Sequence, residues 1–504
     1  QGNDVYENQE LPVVASDVDC ILLTHAHIDH SGLIPLMYVN GFRGQVYSTS
    51  ATAQLCEIML RDSAHIQMFE AEWRNRKAAR SGGKLKEFVP LYDMDAAVNV
   101  CKQFVGCEYD KIYNIADGIK IRFTDVGHLL GSASIEVWAT EKTENGDVTE
   151  KIVFSGDIGN INKPIIKDPK HVTDADYVVM ESTYGNRSHG GTPNYVEDLT
   201  NIFKRTFERG GNVVIPSFAV GRTQELLYII RKIKEDNLVG RDFDVYMDSP
   251  LAIEATNIFI KNVESCFDDE AVELVRKGIN PLSFPGLKYA TTGDESKQIN
   301  FDPNPKVIIS SSGMCEAGRI RHHLKHNLWR PECTIVFVGY QAVGTTGRII
   351  VDGAEEIKLF GEPIQIKAEI VQLKGSSGHA DKDGLLCWIN AFDRKPKKVF
   401  VVHGEDSVCD EFTECLKEEY GYDAMAPYTG GSYDLIADRV ISEGVKERKT
   451  RRTTSTQRGK TVFDRLVAAG KRLMTVITHN EGGTNKDLAK FTDQINALCD
   501  KWDR

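Results

Sequence analysis

Paired thiols are the first thing this sequence lacks. Its 11 cysteines, at 20, 56, 101, 107, 266, 315, 333, 387, 409, 415 and 499, are odd in number, scattered, and include no C-x-x-C pair. That argues against a disulfide framework and a thiolate zinc finger, and it fits reduced thiols in a cytoplasmic protein. No apolar run approaches the roughly 20 residues that a membrane span requires, so no membrane partner is expected. Positive charge is in short supply: 61 Lys and Arg against 73 Asp and Glu leave a net charge of −12. That sign is wrong for a protein that coats nucleic acid non-specifically, but it leaves open phosphate binding by a few arginines and metal ions. No signal peptide opens the chain, which starts at Gln1 rather than Met and reads as a processed or incomplete N-terminus. No internal repeat is apparent.

What is present is ordinary globular material. The 504 residues, 41% hydrophobic and 27% charged, suffice for a large core and two to four domains. The first 190 or so alternate short β-type runs with turns, at Cys20–Thr24, Gly44–Ser48, Ile119–Asp125, Ser134–Ala139, Lys151–Ser155 and Tyr177–Met180. A helix is expected over 50–70 and a charged helical stretch over 70–102. From about 193 the pattern changes to helices alternating with buried strands, at Asn212–Pro216, Asp244–Met247, Lys306–Ser310 and Thr334–Val338. Short apolar strands between amphipathic helices imply a parallel sheet covered on both faces. After about 370 the strand-and-turn style returns, with Ala368–Leu373, Lys398–Val402 and a helix near 406–419. The segment from Lys446 to Arg452 and the Ser/Thr stretch beyond it read as a solvated linker. Phe463, Leu466, Val467, Gly470, Leu473, Met474 and Ile477, then Leu488, Phe491, Ile495, Leu498 and Trp502, fall at helical spacing. This predicts a helical hairpin packed on its own body, the alternative being a homodimer or protein-partner surface. The expected domains are therefore 1–192, 193–370, 371–440 and a tail over 441–504.

The strongest signal is His25-Ala26-His27-Ile28-Asp29-His30, directly after an apolar run. Imidazole and carboxylate suit zinc and other borderline divalent metals. In an extended segment the side chains at 25 and 27 project to one side, so both can bind one metal. If the chain turns helical near Asp29, then Asp29 and His30 can reach a second metal. A loop of surface histidines is the bland alternative. Two metals need more ligands, and three further strand ends carry suitable ones: Gly127-His128, Gly156-Asp157 and His403-Gly404-Glu405. In each a glycine permits a tight turn.

In this order the motifs resemble the metallo-β-lactamase superfamily. Glu181-Ser-Thr-Tyr-Gly185, Ser376-Ser-Gly-His379-Ala-Asp381 and Val402-His403-Gly-Glu405 look like the extra motifs of its nucleic-acid-processing branch, the β-CASP nucleases. Ser217-Phe-Ala-Val-Gly-Arg-Thr-Gln-Glu225, Asp248-Ser-Pro-Leu251 and Ser310-Ser-Ser-Gly-Met314 are similar to that branch's inserted domain, closer to the cleavage-and-polyadenylation endonuclease subgroup than to ribonuclease J. The resemblance covers about 17–410. It implies an α/β fold, the αββα metallo-β-lactamase sandwich with an inserted parallel-sheet β-CASP domain, to which this chain adds a helical C-terminal tail. Because only 24 residues precede the His-rich motif, the family's N-terminal edge strands are expected to be missing.

The resemblance further implies a zinc-dependent ribonuclease acting on single-stranded RNA. His25, His27 and His128 would hold one Zn2+ and Asp29, His30 and His403 the other, with Asp157 bridging the two ions. A hydroxide shared by the metals would attack the phosphodiester. His379 would protonate the leaving oxygen, with Glu181 orienting it. Family members acting on DNA carry Val at the third motif, so His403 points to RNA. Arg222 at a helix start, together with Ser311, Ser312 and Gly313 after a buried strand, suits a phosphate oxygen. His322, His323 and His326 read as a solvated helix face, with an RNA path as the alternative; His65, His171, His189 and His479 receive no role. Internal and end-wise cutting both stay open. The rival functions are hydrolysis of small esters or thioesters, and RNA binding as a subunit acting with a partner.

Overall fold

The structure is a computed structural model that describes residues 11–80, 88–144, 146–188, 190, 194–373, 377–446, 462–482 and 484–502. His189, Ser376 and most of the basic linker lie outside the described residues.

The metal-rich segments belong to two sheets that share a core. One has three parallel strands, in the order Cys20–Leu22, Gln45–Thr49, Phe104–Cys107. The other has seven, in the order Ala424–Met425, Lys398–Val402, Tyr177–Glu181, Gly146–Phe154, Ala133–Thr143, Ile119–Asp125, Tyr113–Ala116. Leu22, Tyr47 and Cys107 from the first pack with Ile121, Phe123 and Ile135 of the second. Period-2 alternation sorts the other faces. Val153, Val178, Met180, Val399 and Val401 meet the helices Lys382–Ile389 and Asp406–Glu418. Ile152, Tyr177 and Phe400 turn the opposite way, towards Tyr433 and Leu435. Four connections leave this pair of sheets carrying His25, His128, Asp157 and His403.

The inserted unit is the expected parallel sheet. Its order is Leu287–Tyr289, Asp244–Asp248, Lys306–Ser310, Val213–Pro216, Thr334–Phe337, Glu369–Gln372, with every pairing parallel. Its central strands are buried along their whole length, as a sheet covered on both faces requires. The last strand corrects the sequence reading. Pattern alone groups the run at 368–373 with the returning strand-and-turn segment, but it pairs with Thr334–Phe337 and closes this sheet. Short strands carry no local mark of which sheet they join.

Two more expectations are revised. Helix and charged stretch form one 31-residue helix, Ser50–Arg80, and a separate helix Met94–Cys101. The tail does form two helices, Val462–His479 and Asn485–Trp502, but it leaves much of its apolar stripe in solvent. Thr475 Oγ1 lies 3.3 Å from Ser16 Oγ, while Leu466, Met474 and Trp502 remain more than 60% exposed. Among the described residues no helix is long and apolar enough to cross a membrane.

Candidate metal centre

The His-rich motif takes the shape its spacing predicts. His25 follows the strand, and His27 is extended (φ −54°, ψ 146°) as N-cap of the short helix Ile28–Ser31. Ser31 Oγ donates to the carbonyls of Ala26 and His27, fixing the switch from extended to helical backbone. His25 and His27 therefore converge on one point. Asp29 and His30, on the first turn, face another.

Strands distant in sequence deliver the remaining groups. His25 Nε2 lies 3.1 Å from His27 Nδ1, and His128 Nε2 lies 3.2 Å from that same nitrogen. Asp157 Oδ2 is 3.4 Å from His25 Nε2 and 3.5 Å from His128 Nε2. Four donors held about 2.0–2.1 Å from a central ion make a tetrahedron with edges of roughly 3.3–3.4 Å. The four spacings in this cluster fit that figure. Asp29, His30 and His403 form a second group. There His30 Nε2 is 3.2 Å from His403 Nε2 and 3.3 Å from Asp157 Oδ1, and Asp29 Oδ2 is 3.8 Å from His403 Nε2. Asp157 thus turns one oxygen to each group. Its Oδ1 is buried and makes no well-formed hydrogen bond among the described residues, an arrangement that a cation explains and a plain core does not.

Electrostatics agree with a donor set. Burial keeps His25 and His128 below the ordinary imidazole range and lowers His27 to about 3, so these rings are neutral and their lone pairs available. Burial alone would raise the Asp157 carboxyl, but the surrounding imidazoles hold it well below the usual range. Burial also opposes charge on His403, yet Asp29, Asp157 and Glu181 raise it to about 9; a cation taken up there competes with a proton.

The non-ligating nitrogens are held in turn. His25 Nδ1 is 3.2 Å from Thr24 Oγ1, His128 Nδ1 donates to the Gly378 carbonyl at 3.2 Å, and His403 Nδ1 is 3.1 Å from Thr183 Oγ1. Such partners orient metal-binding imidazoles. His403 itself has φ +52°, a left-handed backbone that non-glycine residues seldom adopt, directly after its strand. Sequence reading gives no role to Thr24, Thr183 or Gly378; the last two lie inside the Glu181–Gly185 and Ser376–Asp381 motifs, but linear order does not show which imidazole each one meets.

His379 joins the site from the far end of the insert. Its Nδ1 is 3.2 Å from both Glu181 oxygens, and its Nε2 is 3.8 Å from Asp157 Oδ2. Burial disfavours its charge, but the adjacent carboxylate prevails and its pKa is raised. Glu181, itself 1% exposed, also accepts from Ile158 N at 2.5 Å.

The four residues expected at a phosphate fare differently. Arg222 Nη1 is 2.5 Å from Glu225 Oε2, and Glu225 also pairs with Lys163, whose Nζ donates to the His128 carbonyl. Lys163 gave no sequence signal. Ser311 Oγ lies 2.8 Å from Ser249 Oγ, Ser312 Oγ is 3.5 Å from Ala317 N, and the Gly313 carbonyl accepts from Gln341. These groups gather at the carboxyl end of the parallel sheet, and none of those three partners belongs to the metal centre. His322, stacked on Phe360, and His326 lie on an exposed helix face as expected, but His323 is buried against Asp248 at 2.6 Å, because its ring partners a carboxylate in the core rather than solvent.

Comparison with known proteins places this geometry. The family described as the Beta-Casp domain matches residues 223–350, and the Zn-dependent metallo-hydrolase RNA specificity domain matches 363–427. The chain is 35% identical over 390 residues to Ribonuclease TTHA0252 of Thermus thermophilus, covering 77% of this chain and 82% of that one. It is 31% identical over 401 residues to an RNase J-like protein of Methanocaldococcus jannaschii, covering 79% and 84%. It is also 31% identical over 420 residues to transcription termination factor FttA of Methanosarcina mazei, covering 82% of this chain but 62% of that protein. The chain thus spans about three fifths of the termination factor it matches there. The chain belongs to the β-CASP RNA nucleases of the metallo-β-lactamase superfamily, a family of metal-dependent hydrolases.

Proposed function

We propose that this chain is a two-zinc ribonuclease that hydrolyses phosphodiesters of single-stranded RNA. The observation carrying this reading is Asp157, whose two oxygens face two separate groups of three further donors. His25, His27 and His128 would hold one ion, and Asp29, His30 and His403 the other, with Asp157 shared. When bound, the two ions would supply positive charge for the phosphate and an activated water for in-line attack.

The chain's own residues account for the proton. His379 presents Nε2 towards the centre while Glu181 holds Nδ1 and favours the charged ring. As water oxygen bonds to phosphorus and the bond to the 3′-oxygen breaks, His379 Nε2 gives its proton to that oxygen. The products are a 3′-hydroxyl and a 5′-phosphate. The metal-holding lobe comprises 1–192 and the segment up to about 440, and the inserted lobe runs from 193 to just past Gln372. The tail from 441 stands apart from the chemistry.

The test is cleavage of a 5′-labelled single-stranded RNA by the full chain, with and without chelator, beside His379→Ala. Chelator-sensitive cutting that collapses in the variant supports the reading. A folded, zinc-loaded chain that cuts no RNA overturns it.

A further inference from the structure

The parallel sheet sends its strand ends into one loop cluster. Ser217 N donates to the Ser310 carbonyl at 3.0 Å, joining the loops after Val213–Pro216 and Lys306–Ser310. Gln341 Nε2 donates to the Gly313 carbonyl at 3.1 Å, and Gly347 N to that of Met314 at 3.0 Å, bringing in the loop after Thr334–Phe337. Two exposed aromatic residues belong to the loops meeting at the Ser311–Gly313 turn, Phe218 and Tyr340, the latter's carbonyl accepting from the same Gln341 Nε2 at 3.2 Å. Phe218 is 47% exposed and Tyr340 50% exposed. Phe218 lies on the turn itself: a Cβ on Gly313 would stand 3.1 Å from both its backbone nitrogen and its ring. Its carbonyl is pinned by Thr223 Oγ1 at 2.7 Å, so the ring projects from a fixed backbone. Three residues on, a Cβ on Gly221 would stand 3.1 Å from Leu129, the neighbour of the metal-site His128. This loop therefore adjoins the metal centre.

A lone exposed phenyl ring is unremarkable on a protein surface. Two on loops that meet at one polar turn, beyond the carboxyl ends of a parallel sheet, sit where such folds bind ligands. Resting on the ribonuclease reading, we propose that Phe218 and Tyr340 are stacking platforms for the nucleobases next to the scissile phosphate. The serine-glycine turn between them carries the intervening sugar-phosphate backbone. Every base has a π-face, so the platforms bind single strands with little sequence preference.

The experiment titrates a fluorescent single-stranded oligoribonucleotide onto the full chain in chelator, reading anisotropy, and repeats the titration with single abasic positions scanned along it. Phe218→Leu and Tyr340→Leu keep apolar bulk and remove the ring; Phe218→Trp and Tyr340→Phe keep the ring. Each Leu variant is expected to bind roughly 5- to 150-fold more weakly, while the ring-retaining variants stay near wild type. Wild-type chain is expected to lose affinity at one or two abasic positions, and each Leu variant to lose that sensitivity at one of them. Leu variants that bind every oligonucleotide like a wild type that cuts RNA overturn the stacking proposal alone. A wild type that neither binds nor cuts overturns this proposal together with the ribonuclease reading.

Discussion

The Glu181 carboxylate and His379 Nδ1 meet at 3.2 Å although 198 residues separate them in sequence. Glu181 is buried and held by backbone donors, so it acts as a fixed orienter and His379 as the group it aims. His379→Ala is expected to lower kcat by roughly 10²–10⁴-fold, the usual worth of a positioned proton donor. Zinc content, read by elemental analysis, should stay at the wild-type value. Glu181→Gln should reduce kcat less than His379→Ala does. A His379→Ala chain cutting at the wild-type rate would remove that residue from the chemistry.

Thr183 tests whether the outer hydrogen bonds matter. Its hydroxyl is 3.1 Å from His403 Nδ1. Thr183→Val keeps the shape and removes that contact, and is expected to weaken metal affinity about 10–100-fold. Competition with a chromogenic chelator measures this directly. Unchanged affinity would mean that the left-handed backbone alone orients His403.

Gly159 lies where the two loops carrying the candidate donors His128 and Asp157 touch. A Cβ there would stand 1.9 Å from the Gly127 carbonyl oxygen and 2.7 Å from His128 N, both backbone atoms that no rotamer change can move. Gly159→Ala should cost about 1–3 kcal/mol in urea unfolding and displace His128, lowering zinc content as well. Wild-type stability in this variant would show that the two loops separate freely.

Asp125 supplies a pH dependence. It is 5% exposed, and burial pushes its pKa up to about 7. The folded value lies above the unfolded value of about 3.9, so the native state holds the proton more tightly. Its contribution is therefore fully present at low pH and is lost as pH climbs from about 4 through 7. Asp125→Asn keeps an acceptor for Gly127 N, now 3.0 Å away, and carries no charge. Relative to wild type it should gain roughly 1–3 kcal/mol at pH 8 compared with pH 4.5, measured by denaturant titration at both. An equal difference at the two pH values would place the carboxyl in better-solvated surroundings.

The candidate donor set was legible because its chemistry is local. Three imidazoles and a carboxylate within six residues have few structural uses, and alternation followed by a helical turn fixes which of them converge. The other ligand types stood out by lying where apolar strands end in a glycine turn. The parallel sheet was legible from its uninterrupted apolar strands. The tail was legible as two helices, but a stripe at helical spacing reports an apolar face and not what covers it.

The sequence by itself therefore determined the candidate donor types, their order, the parallel class of the inserted sheet and the helical periods, since each depends on neighbours a few residues apart. Only the tertiary structure decided how Asp157 divides its two oxygens, that Glu369–Gln372 closes the inserted sheet, and that Lys163 pairs with Glu225 while holding the His128 loop. It alone brought the loops carrying Phe218 and Tyr340 to one turn. Those outcomes rest on contacts between distant segments. Side-chain pattern along a chain encodes which face is apolar, but the choice of partner comes from packing between whole elements.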